Sequence, residues 1–445
     1  AAMHPDVEWS KSAIVETPNL EKLAAQGMRF SAAYSPASVC SPTRISLQTG
    51  KSPAALHWTK AAPAETGRKL IEPQLIRQIA RDETTIGELL RSAGYATAHY
   101  GKWHIRGGGP AAHGYDEGDG ETGNEYAYRF SDPNPVDIFG MAKRAASFME
   151  KSQQAGKPFF IQLSWHALHA PENALNETLL KYALKMNSSP EEKRVGGAAL
   201  AENLDTGVGM VMAAVDRLGL TGKTYVIYMS DNGGGGGARR PGRRSAGLSG
   251  GKGSVHEGGI RVPFIIRGPG IAKGSWCHER IVGYDLFPTF CEWAGIKSTS
   301  LPNGLEGGSL TGLFDDGHGQ VTRSRETLVF HFPHYQGVHA PHSALMSGKF
   351  KLLKYYEDNR LALFDLESDI SEQVDLAQKM PETARKLDQL LVAYLNEIDA
   401  GMPTANRGAI SEPKATGRPR PGKGRPETRR PKPGQPRPRR KPLQK

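Results

Sequence analysis

The run Cys40-Ser41-Pro42-Thr43-Arg44 places a thiol, a hydroxyl, a proline and a guanidinium within little more than one helical turn. Proline suits the first turn of a helix, where its missing N–H would have no partner anyway, so Pro42 predicts a helix opening at about Ser41. The N–H groups of such a start favour an anion, and Arg44, one turn on, adds a permanent cation. Cys40 therefore stands where an anionic group would be held and attacked. Further polar groups occur in Gly101-Lys102-Trp103-His104, Leu168-His169-Ala170-Pro171, Ser230-Asp231-Asn232-Gly233 and Gly251-Lys252-Gly253. Cations such as Arg44, Lys102 and Lys252, aimed at oxygens whose charge grows, stabilise a transition state more than a ground state. Histidines such as His104 and His169 pass protons near neutral pH. The oxygens of Asp231 and Asn232 suit a hard divalent ion. Singly, each has a plainer explanation: a solvated lysine, a structural histidine, a turn at Asp-Asn-Gly. Their joint occurrence points to one site.

Those residues need elements to hold them. Thr17-Pro18 reads as an N-cap and first helical residue, predicting a helix over 18–26. Helices are also predicted over 86–91, 139–151 and 200–218, and apolar strands over 95–100, 158–164 and 224–230. Alternating helices and strands predict an α/β fold, a sheet flanked by helices on both faces. Polar motifs at the C-terminal ends of its strands lie where open α/β sheets place their sites. Beyond about Pro302 the texture changes to short strands at 328–332, 343–347, 350–355 and 362–365, then a helix over 381–398. That pattern predicts a small antiparallel sheet with one packed helix. The chain thus divides into 1–320, 321–402 and a tail, 403–445; no internal repeat is visible.

The formal net charge is +11, but Thr404 to Lys445 alone carries 14 Lys and Arg against 2 Asp and Glu, so the remainder is near neutral. The tail is rich in Pro, Arg, Lys and Gly and poor in large apolar residues, which predicts disorder. It and the four arginines of the glycine-rich 233–250 loop (Arg239, Arg240, Arg243, Arg244) would attract a polyanion or simply stay solvated. No apolar run reaches the length of a membrane span, and residues 1–12 do not read as a signal peptide. Cys277 and Cys291 either pair in an oxidising compartment or remain free buried thiols. His331, His334, His339 and His342 either line a cleft or sit on strands and turns; their spacing does not compel zinc.

The C-x-P-x-R pattern at Cys40 and the text from Thr17 to Gly50 resemble the type I sulfatases. The later motifs follow in that family's order, including Glu257-Gly258-Gly259-Ile260-Arg261-Val262-Pro263 and Asp285-Leu286-Phe287-Pro288-Thr289. The resemblance spans roughly residues 10 to 400. It implies an alkaline-phosphatase-like central sheet flanked by helices, with a small C-terminal α+β domain. It implies that a formylglycine-generating enzyme oxidises Cys40. One hydroxyl of the hydrated aldehyde then attacks sulfur and the other later expels sulfate. It assigns Arg44, Lys102 and Lys252 to binding and stabilisation, and Lys102 and His104 to contact with the formylglycine or the sulfate. His169 would bind sulfate and help protonate the leaving oxygen. Asp231, Asn232 and the modified Cys40 would hold calcium. The implied substrate is a sulfated carbohydrate or an aryl sulfate, in the periplasm or outside the cell, with no nucleic-acid partner. Ser249 stands where family members often have an arginine, which blurs the substrate.

One part of the pattern is missing. Sulfatases begin with a buried strand ending in two aspartates, both metal ligands. Here no apolar strand precedes Thr17, and Asp6 and Glu8 lie in a polar stretch. Without those carboxylates calcium should bind weakly, and without that strand its neighbours are exposed. Retention of Cys40, Lys102, His104, His169 and Lys252 favours a truncated piece of an active enzyme over a non-catalytic relative. Two other functions stay open: a polyanion binder using the same basic pocket, and a phosphoryl or phosphonate hydrolase on the same fold.

Overall fold

The computed structural model describes residues 12–66, 68–235, 244–245 (backbone only) and 247–408. In chain order the main elements are α1 (Pro18–Ala25), β1 (Met28–Phe30), α2 (Cys40–Thr49), α3 (Ile86–Ser92), β2 (Ala96–Gly101), β3 (Glu117–Gly118) and α4 (Ile138–Gln154). Then come β4 (Phe159–Ser164), α5 (Asn176–Lys185), α6 (Lys193–Arg217), β5 (Val226–Met229), α7 (Glu257–Ile260), β6 (Phe264–Arg267), β7 (Ser275–Cys277) and α8 (Leu286–Trp293).

The strands form two sheets. In the first, β2 is central and runs parallel to β3 and β4, its register with β4 running from Ala96 opposite Phe159 to Gly101 opposite Ser164. The second has the order β7-β1-β6-β5, with Met28 paired to Ser275 and Ile266, and Phe264 opposite Met229. Phe264, Ile265 and Ile266 are fully buried, each such side chain being worth about 1.5–3 kcal/mol. β4 and β5 are the outer strands of their sheets, and every residue of both lines one cavity of about 1450 Å³. Their apolar side chains are accordingly only half-buried. One group of helices (α1, α4, α5) packs on α6, and a second group (α2, α3, α8) packs together. The start of α1 is fixed by a carboxylate: Asp205 of α6 accepts from the N–H groups of Asn19 and Leu20 at 3.0 and 2.8 Å, a favourable place for an anion.

The C-terminal part is an antiparallel meander of β8 (Leu328–Phe332), β9 (His342–Ser347), β10 (Phe350–Tyr355) and β11 (Leu361–Asp365), followed by α9 (Pro381–Glu397). Side chains alternate between its faces. Leu345, Leu352 and Leu363 pack under Leu387, Leu391 and Tyr394 of α9. On the other face Phe330, Met346 and Leu353 meet Tyr34, Val255 and Ile260. Lys351 of β10 is fully buried and bonds at 2.8 Å to both Glu257 and Glu372. Glu257 also accepts from Tyr34 and Arg261. This charged knot ties α7 to the small sheet.

The structure differs from the sequence reading in several places. α2 opens at Cys40 itself, with Val39 extended before it. α5 and β6 were not anticipated. Thr404–Ala405, assigned to the tail, pairs with Leu70–Ile71. Asp6, Glu8, Arg239, Arg240, Arg243 and the tail from 409 lie outside the described residues, and Arg244 contributes only a backbone pairing with Ser249. Among the described residues no helix is long and apolar enough to cross a membrane.

Candidate active site

Cys40 is buried at the first position of α2. The helix runs to Thr49 and stops at Gly50, whose φ of +70° suits glycine. Beside Cys40 stands His104, whose Nδ1 lies 2.9 Å from Ser41 Oγ and 3.5 Å from Cys40 Sγ. His104 adopts φ +61°, uncommon for a non-glycine residue. The backbone there is pinned by Thr122, which accepts from the His104 N–H with its carbonyl and from the Trp103 N–H with its hydroxyl, both at 2.9 Å.

Lys102 is 2 % exposed, and its N–H donates to the Ser164 carbonyl at 2.8 Å, joining the ends of β2 and β4. Arg44 gathers the rest: Nη1 donates to the Lys102 carbonyl at 2.6 Å and Nη2 to Asp231 Oδ2 at 2.9 Å. Lys252 is brought in by backbone bonds. Its N–H donates to the Gly234 carbonyl at 3.0 Å and the Gly253 N–H to the Ser38 carbonyl at 2.9 Å. Gly253 has φ +86°, and a Cβ there would strike Gln336. His169 points Nδ1 at the Ala170 carbonyl, 3.1 Å away, so the neutral ring keeps Nε2 as its acceptor. Arg44, Lys102, His169, Asp231, Asn232 and Lys252 all line the cavity bounded by β4 and β5.

The local charge is positive: three cations face one carboxylate. Burial opposes ionisation of Asp231, but Arg44, Lys102 and Lys252 hold its carboxyl below the ordinary range. Burial likewise raises the Cys40 thiol, yet Lys102, with Lys252 and Arg44, outweighs burial and Asp231 and leaves it below the usual value. Cys277 and Cys291 show the contrast. Both are free and buried, and burial pushes them up to about 11 and about 12. Burial, then Lys102 and Arg44, push His104 down to about 3. His169 is lowered chiefly by burial.

The oxygens expected to hold calcium are fewer than that ion requires. Asn232 Nδ2 donates to the Gly233 carbonyl at 2.8 Å, while its Oδ1 is buried with no hydrogen-bond partner among the described residues. Asp231 is already paired to Arg44. Calcium takes about six to eight oxygens. Asp231 and Asn232 alone do not complete such a site, and Cys40 turns toward His104. Among the described residues no group of three or more His, Cys, Asp or Glu could hold a metal ion.

The four later histidines stand outside this cavity's lining, and three of them bond neighbouring groups of the fold. His331 bonds Ser343 and the Gly401 carbonyl, and His334 bonds Glu72 and Thr59. His342 bonds the Ala340 carbonyl and the Val255 N–H. His339 packs 6.0 Å from His342. Ser249 donates to the Ser371 carbonyl. Sequence reasoning missed two participants: Ser41, the nearer partner of His104, and His166, which lines the cavity three residues before His169. The only sequence signal for His166 was a second histidine after the same strand.

Comparison with known proteins shows the family and the fold of the chain. The family described as Sulfatase matches residues 2–296, and the C-terminal region of N-sulphoglucosamine sulphohydrolase matches residues 251–399. Arylsulfatase A of Bos taurus is 30 % identical, over 83 % of this chain and 80 % of its own. The ulvan-active sulfatase of Formosa agariphila is 27 % identical, over 87 % of this chain and 75 % of its own. The crystal structure of Ps i-CgsB in complex with k-i-k-neocarrahexaose superposes with a TM-score of 0.72 at 23 % identity, covering 92 % of each chain, which supports the shared fold. The chain belongs to the sulfatase family, the sulfuric ester hydrolases built on an alkaline-phosphatase-like fold.

Proposed function

We propose that this chain hydrolyses the sulfate ester of a sulfated carbohydrate, with position 40 in its formylglycine form as the nucleophile. The observation that carries the reading is the setting of Cys40: the first residue of α2, with Arg44, Lys102 and Lys252 turned toward its neighbourhood. The carbohydrate follows from relatives rather than from geometry. They include the ulvan-active sulfatase and an N-acetylgalactosamine-6-sulfatase of Rattus norvegicus, 31 % identical over 64 % of this chain and 58 % of its own.

Formylglycine, once hydrated, supplies the attacking oxygen and a second hydroxyl that later releases the sulfate. The other work falls to side chains already in place. Arg44, Lys102 and Lys252 neutralise sulfate oxygens as in-line displacement shifts charge among them. His104, fixed by Ser41, orients position 40 and holds a proton at Nδ1. His169, anchored through Nδ1, gives a proton from Nε2 to the leaving oxygen. Its lowered proton affinity is that of the free site, and an anion bound between Lys102 and Lys252 would raise it. Asp231 and Asn232 are the residues that would hold calcium, weakly in this chain, and the ion would there polarise the sulfate. Residues 1–320 make the catalytic domain and 321–402 the small α+β domain, and the basic tail begins after Asn406. The partners are the sulfated substrate and a formylglycine-generating enzyme, and the setting is the periplasm or the cell exterior.

Turnover of 4-nitrophenyl sulfate by protein made alongside the formylglycine-generating enzyme, lost in Cys40→Ala, tests the reading. Faster turnover of a phosphate diester would overturn it.

A further inference from the structure

His166 follows β4 by two residues and is 2 % exposed, yet neither ring nitrogen has a hydrogen-bond partner among the described residues. A buried polar group left without partners is costly, and native structures keep few of them without a functional reason. The ring is not loosely placed. Tyr126 stacks against it with centroids 5.7 Å apart, and Arg129 in turn lies 4.9 Å over Tyr126. The His166 carbonyl accepts from the His169 N–H at 3.0 Å, which couples it to the proposed proton donor. Its side chain lines the same cavity as Arg44, Lys102, His169 and Asp231.

The chemistry of the ring narrows what it can meet. Burial, followed by Arg44 and Lys102, brings its pKa down to about 4, so at neutral pH it offers one N–H donor and one bare nitrogen acceptor. Sulfate oxygens accept only, and Arg44, Lys102 and Lys252 in the same cavity are suited to meet them. An acceptor nitrogen has nothing to offer a sulfate. A sugar hydroxyl both donates and accepts, and it matches a neutral imidazole. We infer that His166 is a specificity residue that hydrogen-bonds hydroxyls of the sugar ring carrying the ester. It thereby adds affinity for carbohydrate sulfates that inorganic sulfate cannot gain. This inference rests on the sulfated-carbohydrate reading above.

The test is calorimetric binding to the full chain, independent of turnover. The probes are inorganic sulfate and monosulfated galactose, N-acetylgalactosamine and N-acetylglucosamine, each sulfated at different positions. The wild type should prefer at least one sugar sulfate to inorganic sulfate. His166→Ala should cut that preference about tenfold, the scale of one well-placed hydrogen bond, and His166→Gln, which keeps a donor and an acceptor, should restore part of it. An unchanged preference in His166→Ala overturns the inference. So does an equal loss of sugar and inorganic sulfate, which would mark a merely structural ring. A wild type that binds no probe sugar better than inorganic sulfate defeats the carbohydrate reading itself, and the inference with it.

Discussion

The Arg44 guanidinium lies 2.9 Å from the Asp231 carboxylate while its other terminal nitrogen holds the Lys102 carbonyl at 2.6 Å. One side chain thus locks the helix that begins at Cys40 to the end of β2 and to the turn after β5. The fork also keeps a permanent charge beside the nucleophile's position.

Replacing that fork should be severe. Lysine cannot span both partners, so Arg44→Lys should lose one anchor and misplace the charge. We expect kcat/KM for 4-nitrophenyl sulfate to fall about 10²–10³-fold, with the folded state preserved by circular dichroism. A change of only a few-fold would show that Lys102 and Lys252 suffice.

Acid should loosen the fold as pH falls below the ordinary carboxyl value of an unfolded chain, about 4.5. Burial opposes the charge on Glu72, but His334 and Lys60 hold its carboxyl down to about 2, against an ordinary 4.5. Glu372 is shifted in the same direction: burial opposes its charge, and Lys351 with His256 outweighs burial. A carboxyl that binds its proton more weakly when folded stabilises the fold fully above its unfolded pKa. That stabilisation is lost as pH falls through the folded value. The Tm should therefore drop steeply from about pH 4.5 toward about pH 2, and Glu72→Gln should flatten the drop while lowering the Tm at neutral pH. An unchanged slope in that variant would contradict the assignment.

Much of the site was legible because its signals are local. The Cys40 to Arg44 run, the Lys102-Trp103-His104 turn and the Asp231-Asn232-Gly233 turn each announce themselves within a few residues, and Arg44, Lys102, Asp231 and Asn232 from them line one cavity, with Cys40 and His104 paired beside Ser41. What escaped depends on distant partners. His166 gains its meaning from Tyr126, 40 positions earlier in the chain. The histidines at 331, 334 and 342 looked like a cluster by number, but their partners are Ser343, Glu72 and Val255, and each points its own way. β6 is four residues long, three apolar residues and Arg267, just after a proline, too short for periodicity to separate strand from coil.

Calcium should bind poorly. With Asp231 spent largely on Arg44 and Asn232 adding one free amide oxygen, calorimetry should give a Kd of about 10⁻⁴–10⁻³ M or weaker. Asp231→Asn should abolish even that. Tight, stoichiometric binding would mean that other oxygens complete the site.

The central claim concerns the side chain at position 40, and mass spectrometry of the peptide that contains it reads that side chain directly. In protein made beside a formylglycine-generating enzyme, we predict the mass of an aldehyde there, in proportion to the sulfatase activity of each preparation. A fully unmodified thiol in preparations that still hydrolyse 4-nitrophenyl sulfate would contradict the account.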